Sequence, residues 1–252
     1  MNDGVKYEYI NDGYGLITLN RPLKRNAISE DMMSKLYESI LKAKNDPIKF
    51  LVITGAGDKM FCAGGDLTEL HGELSNSDAF NVLDKMKEVL YQIAIFPVPT
   101  ICLLNGNALG GGCEIATSCD FRIAKTSTRF GFVQANLGIL PGWGGGALLY
   151  EKVNPTFAYQ WLLEANIYDA NYLMEQGWIN QIISSEEWGD VHNLVQPYLN
   201  RSTEQMKLLK GQYLASISVE SLYRKMSDEV KSCASLWESP EHKLAVQRFS
   251  NR

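Results

Sequence analysis

Three consecutive glycines, Gly110-Gly111-Gly112, stand just ahead of a glutamate, Glu114, in the stretch NALGGGCEIATS. The apolar run TICLL before them (residues 100–104) reads as a buried strand, and Cys113 to Thr117 opens a helix. A helix start carries N–H groups with no intrahelical partner and the positive end of the helix dipole. Gly111 leaves its N–H unobstructed by a side chain, and Glu114, three residues on, projects from the same side of that helix. A backbone donor beside a carboxylate suits acyl chemistry. The donor stabilises charge on a carbonyl oxygen, and the carboxylate moves a proton or orients a reacting group. An acidic residue in a first helical turn is also stabilising with no chemistry attached, and on these residues alone both readings stand.

Other uses of a glycine turn are excluded by its composition. A dinucleotide G-x-G-x-x-G fails because Gly106-Asn107-Ala108 has alanine at the second glycine position. A P-loop fails because Gly112, not lysine, follows Gly111. No G-x-S-x-G elbow occurs anywhere, which disfavours an α/β-hydrolase. The three histidines, His71, His192 and His242, are scattered without H-x-x-x-H spacing. They read as surface or structural residues, and no metal site is expected.

Strands and helices must position this turn. Residues 5–10 and 14–20 are β-rich around Asn11-Asp12-Gly13 and predict a hairpin. Ser29 reads as the N-cap of a helix with Met32, Met33, Leu36, Ile40 and Leu41 on its apolar stripe. Residues 49–54 predict a buried strand ended by Gly55-Ala56-Gly57, and a loop follows around Ala63-Gly64-Gly65-Asp66. Residues 79–95 are helical by period, 105–112 a glycine-rich turn, and 120–124 and 129–132 strands. Residues 137–146 make a second glycine-rich loop. From about residue 155 the pattern is mostly helical, with a strand-like piece at 179–183 and helices near 186–199, 202–214, 218–237 and 240–249. The shift in composition near residue 190 marks the expected boundary between a core (1–190) and a helical region (191–252), with no linker between them.

Bulk properties narrow the class. The chain has 252 residues, 45% hydrophobic and 21% charged, as in an ordinary globular protein. A net charge of −5 without basic blocks argues against nucleic acid as a partner. The apolar run at Ile93 to Leu104 is broken by Pro97 and Pro99, so no membrane span is expected. Met1 to Asp12 mixes charges without an apolar segment, so the expectation is a cytoplasmic protein without a secretory signal. Five cysteines without a C-x-x-C predict reduced, buried thiols.

The stretch PTICLLNGNALGGGCEIATSCD (residues 99–120) resembles the signature of the crotonase superfamily, the enoyl-CoA hydratase/isomerase family. Three further elements resemble it in the same order: Asn20-Arg21-Pro22 with Asn26-Ala27, then Phe61 to Leu67, then Phe130-Gly131 through Pro141-Gly142. The resemblance implies an α/β fold, a crotonase-like spiral of ββα units with a C-terminal α-helical trimerisation region. It implies an acyl-CoA thioester as substrate, no cofactor beyond the coenzyme A that belongs to that substrate, and a homotrimer or dimer of trimers. It implies an oxyanion hole made by the N–H groups of Gly65 and Gly111, with Glu114 as acid/base. Ala63, Asp66 and Leu67 fall on the implied coenzyme A path, Lys24 and Arg25 in its phosphate region, and Gly110 and Gly142 among the substrate-contacting positions, with Trp143 either a pocket wall or packing.

Several positions depart from the hydratase pattern. Trp143 follows Gly142 where many hydratases have a small residue, and it would narrow the pocket if it points inward. Gly144-Gly145-Gly146-Ala147-Leu148-Leu149 replaces the usual G-G-T-Q-R-L without its arginine. Where hydratases carry a second glutamate this chain has Gln134, and an amide cannot take up a proton as a carboxylate does. The stretch FVQANLGILPGWGG is more similar to family members that decarboxylate short malonyl-type thioesters. The leading expectation is hydratase-type chemistry with Glu114 working and Gln134 orienting water. The alternatives are decarboxylation of a methylmalonyl- or ethylmalonyl-like thioester, thioester hydrolysis, and a non-catalytic acyl-CoA binder.

Overall fold

The computed structural model describes residues 4–70 and 74–250, with side chains to residue 248. His71 lies outside the described residues. Ten strands and eleven α-helices are present among those described. The hairpin is β1 (Val5–Ile10) and β2 (Tyr14–Leu19), antiparallel, with Ile10 paired to Tyr14. Helix α1 (Glu30–Asn45) starts at Ser29, whose hydroxyl accepts from Met32 N. Its buried face holds Met32, Met33, Leu36 and Ile40, while Leu41 turns to solvent, against the expected stripe.

Strands then alternate between two sheets. β3 (Phe50–Gly55), β5 (Thr100–Leu104), β7 (Phe121–Lys125) and β10 (Gln181–Ile183) join the hairpin in a six-stranded sheet of order β1-β2-β3-β5-β7-β10. β4 (Met60–Cys62), β6 (Asn107–Leu109), β8 (Arg129–Gly131) and β9 (Tyr168–Asp169) form a second sheet in that order. Each turn of chain thus gives one strand to each sheet and then a helix: α2 (Leu67–Leu70) and α3 (Asn76–Ala94), then α4 (Gly111–Ser118), then α5 (Gly145–Lys152) and α6 (Pro155–Glu164). This is the spiral of ββα units. The central parallel strands are buried on both faces, which is why β3 and β5 read as unbroken apolar runs.

The expected glycine turn at 105–112 contains β6, a strand too short to stand out beside four glycines. Residues 134–137 form one turn of 3-10 helix. α7 (Ala170–Glu175) leads into β10, and after β10 the chain is helical: α8 (Val191–Leu199), α9 (Thr203–Ser216), α10 (Val219–Ser235) and α11 (Pro240–Ser250). α8 begins five residues later than the apolar pattern suggested, at the Asp190 cap, whose side chain accepts from His192 N. α10 packs on α3 and α5, and α11 on the turn at 134–137. All five cysteines are buried and free. No described helix is long and apolar enough to cross a membrane.

Candidate active site

Two glycine loops at the ends of β4 and β6 meet. Gly64 (φ 98°) and Gly110 (φ 51°) occupy the left-handed half of conformational space, which a side chain would strain. A Cβ on Gly64 would lie 3.1 Å from the nitrogen of Gly111, so only glycine allows this approach. The N–H groups of Gly65 and Gly111 donate to no described residue. They are the two donors that the sequence suggested for an oxyanion.

The indole of Trp143 covers both glycines. A Cβ on Gly111 would fall 2.1 Å from Trp143 Cζ3, and one on Gly65 would lie 3.5 Å from Cζ2. The ring is 4% exposed and points into the site. It is therefore a wall of the pocket and part of its packing at once.

Glu114 sits one turn into α4, 2% exposed. Its Oε1 accepts from Gln134 Nε2 at 2.9 Å and Gly142 N at 3.4 Å. Its Oε2 accepts from Trp143 N and Gly145 N, each at 2.9 Å. Gly145 packs directly on the glutamate's methylenes. Burial pushes the carboxyl pKa up, and these donors only partly offset it, so the net shift is upward. Because a carboxylate only accepts, the Gln134 amide must turn its NH₂ to Glu114. Its Oε1 is then buried without a partner among the described residues.

Glu229, which the sequence reading missed, completes the arrangement from α10. Its carboxylate accepts from Gly146 N at 3.2 Å and Ala147 N at 2.6 Å, at the start of α5. Burial and the nearby charge of Glu114 both push its pKa well up. Two carboxylates thus share the free N–H groups of one helix start and of the loop that carries Trp143. The sequence pattern places Glu229 on the buried face of its helix but does not say what it holds. Met226, Val230 and Cys233 make an apolar stripe on α10, and Glu229 lies on the same face.

A cavity of about 290 Å³ joins these groups. Arg25, Ala63, Gly65, Leu67, Gly110, Gly111, Glu114, Gln134, Gly142 and Trp143 all line it, ten of the twelve positions singled out by sequence. Its remaining wall is mostly apolar, including Leu70, Val82, Leu83, Ile139 and Trp237, with Asn136 a polar exception. Lys24 and Asp66 lie outside it. Lys24 is an exposed residue on a separate surface cleft. Asp66 accepts from Thr68 N and Oγ1 and pairs with Arg21 at 3.1 Å. Burial raises its pKa, but Thr68 and Arg21 outweigh that and hold it below the ordinary value. His242 is buried, its Nδ1 2.7 Å from Leu137 O, and His192 pairs with Asp12 at the surface.

The site is a mostly apolar pocket with two bare N–H groups and one buried carboxylate, set in a ββα spiral. The enoyl-CoA hydratase/isomerase family model matches residues 9–252, and the chain belongs to that family. It is 36% identical over 173 residues to a crotonyl-CoA hydratase of Syntrophomonas wolfei, covering 68% of this chain and 66% of that protein. The chain therefore spans about two thirds of that relative's length. It is 30% identical over 243 residues to an ethylmalonyl-CoA decarboxylase of Bos taurus, covering 94% of this chain and 79% of that one. The fold matches an enoyl-CoA hydratase structure from Bacillus halodurans with a TM-score of 0.88 at 24% identity, over 97% of this chain and 99% of the other.

Proposed function

We propose that this protein acts on a short acyl-CoA thioester, holding the thioester oxygen at the N–H groups of Gly65 and Gly111 while an enolate forms. We further propose that the reaction is loss of CO₂ from a malonyl-type thioester. The observation that carries this is the state of the carboxylate. Glu114 is the one carboxylate lining the pocket among the described residues, and four donors already engage its two oxygens. Its neighbour is an amide. Hydration needs one group to deprotonate water and another to protonate Cα, and this pocket lacks that pair. Decarboxylation needs no base for water, only a single proton delivered to Cα. The Cα–carboxylate bond breaks, its electron pair becomes the enolate, CO₂ departs, and Cα takes one proton. Glu114, with its raised pKa, takes a proton from solvent and passes it to Cα.

The apolar wall favours the same step, because a carboxylate there loses hydration that the departing neutral CO₂ does not need. The cavity volume suits a short acyl group. Arg25 at its mouth is placed to meet a phosphate of coenzyme A, and no cofactor beyond that thioester is required. The long match to the bovine decarboxylase, which runs through the helical region, supports this reading.

Hydration is the second reading, favoured by the bare Oε1 of Gln134, which can accept from a water held beside Glu114. Incubation with crotonyl-, methylmalonyl- and ethylmalonyl-CoA, read by mass spectrometry, separates the two. The proposal expects loss of the mass of CO₂ from a malonyl-type substrate. Gain of water on crotonyl-CoA, with the malonyl thioesters untouched, overturns it. A chain that binds these thioesters and turns over none is a binder, and the enzyme reading falls.

A further inference from the structure

A second cleft, of about 580 Å³, opens between the C-terminal end of α5, the end of α8 and α9. It shares no lining residue with the thioester pocket. Its floor is charged. Lys152, Lys210 and Arg122 are all buried there, facing a single buried carboxylate, Asp120. Asp120 is already engaged. It accepts from Thr100 N at 2.9 Å, from Thr100 Oγ1 at 3.2 Å, and from Lys210 Nζ at 2.6 Å through each oxygen. Lys210 spends its third proton on Ala94 O.

Arg122 has neutral partners, and Lys152 shares Asp120 with Lys210. Arg122 donates to the carbonyls of Trp178 and Cys119 and to Asn180 Oδ1. Lys152 Nζ donates to Tyr213 Oη at 2.9 Å and stands 3.8 Å from Asp120. At the rim Glu151 is paired with Lys225, and Arg201 adds another positive charge. Three buried cations against one carboxylate leave about two positive charges uncompensated in a low-dielectric cleft, a costly arrangement unless an anion enters. On a chain of net charge −5 this is a local inversion of sign. The aromatic rings of Tyr198 and Tyr213 wall the cleft on both sides of these groups.

We propose that this cleft is a binding site for a phosphate-type dianion, held by Lys152 and Arg122 from below and Arg201 from the rim. Two negative charges match the excess, and a guanidinium and an ammonium with unused N–H groups match phosphate oxygens. Burial pushes the Lys152 pKa down to about 8, with Asp120 opposing and Arg122 adding to the fall.

Isothermal titration of the intact protein with inorganic phosphate, at fixed ionic strength, tests the site. The expected result is saturable binding of one phosphate per chain. Lys152→Met should weaken it about tenfold or more, since a charge-assisted bond contributes at least that factor. Arg201→Gln, at an exposed position, should weaken it less, and it decides the matter if the buried variant fails to fold. Acetate should bind much more weakly than phosphate. Absence of saturable binding overturns the proposal. So does unchanged affinity in both variants, or acetate binding as tightly as phosphate.

Discussion

Glu114 is held by more hydrogen bonds than proton transfer alone requires, and that sets what its loss should do. Glu114→Ala removes the proton donor and leaves the Gly142, Trp143 and Gly145 N–H groups without their acceptor. Turnover should fall by about 10²–10⁴ while thioester binding survives, as kcat beside titration calorimetry would show. The pH dependence has a definite sign. A carboxyl whose folded pKa is raised binds more protons folded than unfolded, so stability falls as pH rises from the ordinary value of 4.5 through the raised one. Denaturant midpoints measured upward from that pH should decline, and Glu114→Gln should flatten the decline. Gly111→Ala drives a methyl into the Trp143 ring, an overpacking worth about 1–3 kcal/mol, visible as a lower Tm. Gln134 and the glycines were legible in sequence because motif register marks them. The role of Trp143 was not, since no pattern says whether a ring after Gly142 turns in or out.

Helix α5 is the element on which the site depends, because its first turn is bound by carboxylates from two other helices, α4 and α10. Glu229→Ala strips the acceptor from Gly146 and Ala147 and should cost about 1–2 kcal/mol, as loss of a helix cap does. It should also raise KM or lower kcat, because the loop it steadies carries Trp143; steady-state kinetics on the folded variant would register this. Glu229 shows where reading by local pattern stops. It lies more than eighty residues from the loop it holds, and only tertiary packing brings them together. The strands β3 and β5 and the capped helices α1 and α3 could be read because burial and capping are local signals. The two-residue β9 and three-residue β6 could not, because their pairing is imposed by the sheet.

At the scale of the whole molecule, the alternation of strands between two sheets gathers the β4 and β6 loops at one end and the helical region closes over them. α11 packs on the turn carrying Gln134 within the same chain, and Trp237 reaches the pocket. The order of four motifs made the spiral legible; periodicity alone gave only strand, turn and helix. Apolar side chains remain exposed on α6 (Tyr159, Leu163) and α9 (Leu208). These are candidates for burial between subunits, and sedimentation should show a trimer or hexamer rather than a monomer. The central claim is that an enolate forms against Gly65 and Gly111 when CO₂ leaves. Its most direct test is ethylmalonyl-CoA turnover in deuterated water, followed by mass spectrometry. The account predicts a product lighter by CO₂ and carrying one solvent deuteron at Cα. Unchanged ethylmalonyl-CoA, under conditions where crotonyl-CoA gains water, would contradict it.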